Sequence, residues 1–263
     1  MKRKLIHFAH ANGFPAKTYS KLFSFLEDEF QVGFLEQHGH NPDFPVTDNW
    51  KFLQRELESE IEARYSEPVI GVGQSLGGIL HLLTAADRPE LFRAIVLLDA
   101  PVISRTSSLG LKILKRINLP KRHSLSEITK KRRKVWANFD EAFEHFRSRA
   151  KFDAFDEDVL RDYVRFGTEV CEQGIRLTFK PSVEADIYET LPVDLPKLRG
   201  KIKIPIAYIG GTNSREARLA NLRFMKKHFN VNFQFLEGSH LFPFENPEET
   251  AKAIKSAIIA IAC

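Results

Sequence analysis

The stretch of this 263-residue chain best suited to chemistry is Val69 to Leu80, VIGVGQSLGGIL. A short apolar run leads into Gly73-Gln74-Ser75-Leu76-Gly77, and a helix-forming run opens behind it. A serine held between two glycines at this spacing can act as a nucleophile on a sharp strand-to-helix turn. Side chains two positions before or after the serine would collide in such a turn, so both places need glycine. The opening helix would set the Leu76 N–H beside the hydroxyl, where negative charge develops during attack on a carbonyl. Three fixed residues make a weak pattern alone; the strand before and the helix after give it weight. A second stretch, IVLLDAP from Ile95 to Pro101, is an apolar run that ends on a lone carboxylate, Asp99. No histidine or cysteine cluster has metal-ligand spacing, and no glycine-rich phosphate loop of Walker type occurs, so neither metal nor cofactor is expected.

The elements that must position these residues are legible as apolar runs. Leu5–Ala9, Gln31–Leu35, Val69–Val72, Ala94–Leu98, Ile204–Ile209 and Val231–Leu236 are dense in Val, Ile, Leu and Phe. Dense rather than alternating runs suit strands covered on both faces. Helical spacing separates them: Trp50, Leu53, Leu57, Ile61 and Tyr65 follow Asp48 as a cap, and further helices are expected over Arg215–His228 and Glu248–Ile261. The pattern predicts an α/β fold, a mostly parallel sheet of about six strands with helices on both faces. The alternation stops between Pro101 and Lys203. That span shows helical signals over Leu109–Ile117, Glu141–Ala150 and Glu157–Cys171, with almost no strand signal. Residues 1–101 and 200–263 are therefore expected to form the core, and 102–199 an inserted helical cap.

Composition limits the function classes. The chain is 43% hydrophobic and 28% charged, with a net charge of +5, which is ordinary for a globular domain. Eleven Lys or Arg against one acid between Ser104 and Lys134 leave the remainder slightly acidic. One basic segment on such a body is not a nucleic-acid-binding composition. It is expected to be a solvated face, or else a surface that attracts anionic substrates or an acidic membrane interface. Two cysteines, Cys171 and Cys263, form no disulfide framework and suit a reducing compartment. The opening MKRKLIHFAHANG is too interrupted for a signal peptide, so a cytoplasmic location is expected.

With these motifs in place the chain resembles the α/β-hydrolase superfamily over nearly its whole length. FAHANGFPAKTY, Phe8 to Tyr19, is similar to the family's His-Gly loop, with Ala11 in the usual glycine place. The resemblance implies that the Asn12 N–H joins Leu76 in an oxyanion hole and that His10 only shapes the loop. LEGSHLFPFENPEET resembles the family's terminal motif and implies that His240 is the general base. Most relatives carry an acid after the penultimate strand, yet the corresponding GGTNSREA offers Asn213 or Ser214 and no carboxylate before Glu216. A branch of the superfamily places the acid at the end of the strand before the cap, which here is Asp99; a cap residue such as Asp186 or Asp194, or no acid at all, is the alternative. Phe14 and Gln74 are expected to contact substrate.

The resemblance implies a serine esterase acting on a small acyl ester with an apolar acyl group. An acyl thioesterase or lysophospholipase would use the same machinery, and a catalytically inactive binding protein on the same fold is the alternative from another class. A serine at the turn excludes relatives that need a carboxylate nucleophile, those attacking carbon–halogen bonds or epoxides.

Overall fold

The structure is a computed structural model that describes residues 3–102, 125–219 and 222–262. Six strands form the main sheet: β1 (Lys4–Ala9), β2 (Phe30–Phe34), β3 (Val69–Gln74), β4 (Phe92–Leu98), β8 (Ile206–Gly211) and β9 (Val231–Leu236). Their order is β2-β1-β3-β4-β8-β9, and every neighbouring pair is parallel.

The dense apolar runs have the expected cause. Ile70, Val72, Val96, Leu98 and Ile209 join one buried cluster, with the last helix, Pro247–Ala262. Val69, Ile95, Leu97, Ile206 and Tyr208 face the other way into a second cluster, with the helices Lys51–Arg64 and Leu76–Asp87. Alternate residues of the central strands thus serve opposite cores, while the edge strands β2 and β9 are only half-buried.

Parallel pairing brings the strand ends level. Gln74 pairs with Leu98, and Leu98 with Ile209. The residues that follow, Ser75 and Asp99, therefore leave adjacent strands at one edge of the sheet, the edge where open α/β folds collect their chemistry.

Between β4 and β8 the described residues contain helices, among them Phe139–Arg147, Glu157–Gly167 and Pro181–Glu189. The first starts on Asn138, whose side chain accepts from the Glu141 N–H at 2.9 Å, with Asp140 and Glu141 in its first turn. They also contain strands, which corrects the purely helical expectation. β5 (Val135–Trp136), β6 (Thr168–Cys171) and β7 (Gly174–Leu177) form a small antiparallel sheet in the order β5-β7-β6. The helix expected to reach Cys171 stops at Gly167, and the described residues of the expected Arg215–His228 helix are helical, over Arg215–Leu219 and Leu222–Phe229. The helix expected over Leu109–Ile117 and most of the basic segment lie outside the described residues.

The cap is not a separate body. Phe146, Phe152, Phe155 and Tyr163 from the cap share a cluster with Phe14 and Phe244 from the core, at ring-centroid distances of 5.0 to 5.3 Å from one pair to the next. Offset and edge contacts of this kind each contribute about 0.5–1.5 kcal/mol beyond burial. Polar ties add direction: Asn12 Nδ2 donates to the Glu184 carbonyl at 3.0 Å, and Trp50 Nε1 to the Ile187 carbonyl at 3.2 Å.

Candidate active site

Ser75 stands between β3 and the helix Leu76–Asp87 with φ 51° and ψ −110°. This is a region a side-chain-bearing residue adopts only at a cost of about 1–3 kcal/mol, met by the packing around it. The flanking glycines show what that packing demands. A Cβ on Gly73 would lie 2.5 Å from the Gly77 carbonyl carbon, and one on Gly77 only 2.0 Å from the Ala9 carbonyl oxygen. Backbone crosses backbone at both places, so neither can yield cheaply. Gly77→Ala is expected to cost about 3 kcal/mol or more, seen as a lower urea midpoint with an unchanged slope.

His240 follows β9 on the loop beyond Leu236, with 22% of its side chain accessible. Its Nδ1 lies 2.6 Å from Asp99 Oδ2. Asp99 is completely buried and itself has a positive φ, 46°. With no water to solvate it, its carboxylate needs protein donors. Tyr208 donates to Oδ1 at 3.0 Å, and Ser214 donates to Oδ2. Burial and the neighbouring Asp99 push the Tyr208 phenol upward, which keeps it a donor.

These contacts account for the blank in GGTNSREA. Ser214, one of the two residues that stretch offers, gives its hydroxyl to Asp99 instead. Glu216, two residues on, approaches His240 Nδ1 at 3.8 Å and is partly exposed. The ligand atoms of Asp99, Glu216 and His240 lie within 4.8 Å of one another, a grouping able to meet a cation. Asp99 already faces Tyr208, Ser214 and His240, so this set is better spent orienting an imidazole than coordinating an ion.

A cavity of about 1500 Å³ opens over the site, lined by Ser75, Leu76, Asn12, Phe14, Trp50 and His240 among others. The expected oxyanion pair, Asn12 and Leu76, thus borders the same space as the serine and the histidine. Phe14 also lines it, packed on Phe244 and Tyr163. Gln74, expected to contact substrate, does not border this cavity. It is fully buried and acts as a strut: Tyr19 donates to its Oε1 at 2.6 Å, and its Nε2 donates to the His240 carbonyl at 2.7 Å. The Tyr19 oxygen in turn accepts from the Ala11 N–H at 3.1 Å. One hydrogen-bond chain therefore sets the oxyanion loop, the serine turn and the histidine loop against each other. Only the position of Gln74 beside the serine could have signalled this in the sequence.

His10 holds the loop from beneath. Its Nδ1–H donates to the Ala11 carbonyl at 2.9 Å, and its Nε2 accepts from the His38 N–H at 2.9 Å. Both nitrogens are spent in the neutral form, and burial holds its pKa well below the usual histidine range. No helix among the described residues is long and apolar enough to cross a membrane.

The six-stranded parallel sheet, the strained serine turn and the inserted cap define the α/β-hydrolase class. The chain belongs to the alpha/beta hydrolase family, whose sequence model matches residues 8–253. Solved structures similar to it include E-2-(acetamidomethylene)succinate hydrolase, with a TM-score of 0.79 and 20% identity over 98% of this chain and 92% of that one. The thioesterase domain from the curacin biosynthetic pathway gives 0.73 and 14% over 97% and 91%. The enol-lactonase from Burkholderia xenovorans LB400 gives 0.65 and 16% over 98% and 92%. At such identities the likeness is one of fold. Comparison with curated proteins gives no significant match.

Proposed function

We propose that the protein is a serine hydrolase that cleaves carboxylic esters through an acyl-enzyme. The observation that carries this reading is the 2.6 Å contact between His240 and the buried Asp99, on the same cavity as a serine on a strained turn. Asp99 fixes the tautomer with the proton on Nδ1, which leaves Nε2 as the base. Ser75 Oγ bonds to the acyl carbon while His240 takes its proton, and the carbonyl electrons move onto oxygen. The N–H groups of Leu76 and Asn12 hold that oxyanion. Collapse restores the carbonyl and breaks the bond to the leaving oxygen, which receives the proton from His240. Water then repeats the sequence on the acyl-enzyme and releases the acid.

The same steps serve a thioester, with a thiol leaving. A thioesterase and an enol-lactonase among the similar folds support acyl chemistry in general. A fluorophosphonate probe tests the reading: wild type is expected to label at one serine, and Ser75→Ala to lose all labelling. An unlabelled wild type would favour the inactive binding protein. A series of p-nitrophenyl esters with rising chain length, with acyl-CoA alongside, then ranks ester against thioester.

A further inference from the structure

Asn12 supplies an oxyanion N–H in the proposed reaction, and its direction is fixed from two sides. The core holds one end of its peptide: the Ala11 carbonyl accepts from the Phe14 N–H at 3.1 Å and from His10 Nδ1–H at 2.9 Å. A peptide is planar, so holding that carbonyl also aims the Asn12 N–H. The cap holds the other side. The Asn12 side chain donates to the Glu184 carbonyl at 3.0 Å, and Glu184 lies on the cap helix Pro181–Glu189. Gly13 then turns at φ 82° directly against the Glu184 carboxylate, where a Cβ would come within 2.7 Å of Oε1.

A carboxylate is a surprising support for this loop. Glu184 is only 4% exposed, and it borders the residue next to the donor that must attract an oxyanion. Left unpaired, its charge would be poorly solvated and would oppose the negative charge developing on the substrate oxygen. Arg132, in the turn after the short helix Leu125–Lys130, removes that conflict, with Nη2 2.7 Å from Oε2. The guanidinium Nε and Nη2 are themselves inaccessible to solvent, although 25% of the side chain is exposed. Burial pushes the Glu184 carboxyl upward, and Arg132, followed by Lys151, opposes this. Neither Arg132 nor Glu184 borders the cavity, so both act through Asn12 and Gly13 rather than on substrate.

We propose that Arg132 and Glu184 are a positioning pair: from the cap they set the turn Ala11–Phe14 and cancel the charge that would oppose its oxyanion donor. The proposal rests on the reading of Ser75 as nucleophile and of Asn12 as donor. It deepens that reading by making the cap a support of the oxyanion hole as well as a cover.

The first readout needs no activity. Amide hydrogen exchange, followed by mass spectrometry, is compared between wild type and Arg132→Met. The segment His10–Tyr19 is expected to exchange at least about tenfold faster in the variant, while β3 and β4 stay unchanged. The second readout is kinetic, on p-nitrophenyl acetate. Arg132→Met should lower kcat at least about tenfold with KM within about threefold, against about 10²–10³-fold for loss of a whole oxyanion donor. Adding Glu184→Gln removes the unpaired charge and should recover most of that loss. Arg132→Lys should keep most of the wild-type rate. Arg176→Met, which breaks an exposed cap pair with Glu169, should change neither readout. Unchanged exchange over His10–Tyr19 would overturn the proposal, as would a kcat loss that Glu184→Gln fails to recover. Should Arg132→Met not fold, Glu184→Gln alone reads the same contact, because Arg132 can then turn toward water; unaltered exchange and kcat in it count against the pair. A wild type without esterase activity removes the hydrolase reading and leaves the exchange result to decide the pair.

Discussion

Asparagine in place of Asp99 lowers kcat on a p-nitrophenyl ester by about four orders of magnitude, with KM changed only a few-fold. The size follows from what surrounds the residue. Its carboxylate faces three donors, Tyr208, Ser214 and the His240 Nδ1–H. An amide has one accepting oxygen, so at least one donor would meet an NH2 group. The imidazole then gains by moving its proton to Nε2, and a protonated Nε2 cannot take the serine proton. The residual rate in this variant should fall further with Glu216→Gln, because Glu216 is the remaining carboxylate near Nδ1, at 3.8 Å. Glu216→Gln alone should cost little, since a partly exposed pair is worth about 0–1 kcal/mol. Retention of more than a tenth of wild-type kcat in Asp99→Asn would remove Asp99 from the mechanism.

Acid is the second large effect. His7, His10 and His81 are completely buried, and burial is the main reason each has a depressed pKa, His81 falling to about 3. His7 Nδ1 meets His81 Nε2 at 3.2 Å, a contact that needs one ring to donate and the other to accept. Above about pH 6.5 these rings are neutral in both the folded and the unfolded chain, so they leave stability independent of pH. Below it the unfolded chain takes up protons that the fold refuses, and stability drops. Each ring costs about 1.4 kcal/mol by pH 5.5, so the three together remove on the order of 4 kcal/mol. Glu36 and Glu184 have pKa values raised by burial and act in the opposite direction, from the ordinary carboxylate range upward, so they offset part of the drop. Urea midpoints at pH 7.5 and 5.5 would measure the drop. Replacing the His7–His81 pair by Phe and Leu should flatten it, and an unchanged slope would assign the acid sensitivity elsewhere.

The sheet was legible because its central strands are buried on both faces and need unbroken apolar runs. The turn at Ser75 was legible because backbone crossings at Gly73 and Gly77 leave no choice of residue. The cap sheet was not, because β6 and β7 are short and only half-buried, and β5 pairs with β7 alone, over two residues. Gly174, at φ 119° and packed against the Trp136 carbonyl, was the one overlooked mark of that hairpin. Ser214, Glu216 and Gln74 act through contacts made across 115, 24 and 166 positions of sequence. Spacing along a chain carries no trace of such partners. Asp99 was readable only by elimination, from the carboxylate missing after β8.

The tie between Trp50 and the Ile187 carbonyl has an optical consequence. The chain has two tryptophans against 22 phenylalanines. Trp136 is buried inside the cap, and Trp50 sits at the seam where the cap meets the core and borders the cavity. Indole emission therefore originates only in the cap and along its seam with the rest of the molecule. One of the two fluorophores borders the cavity, and the large parallel sheet is dark at those wavelengths.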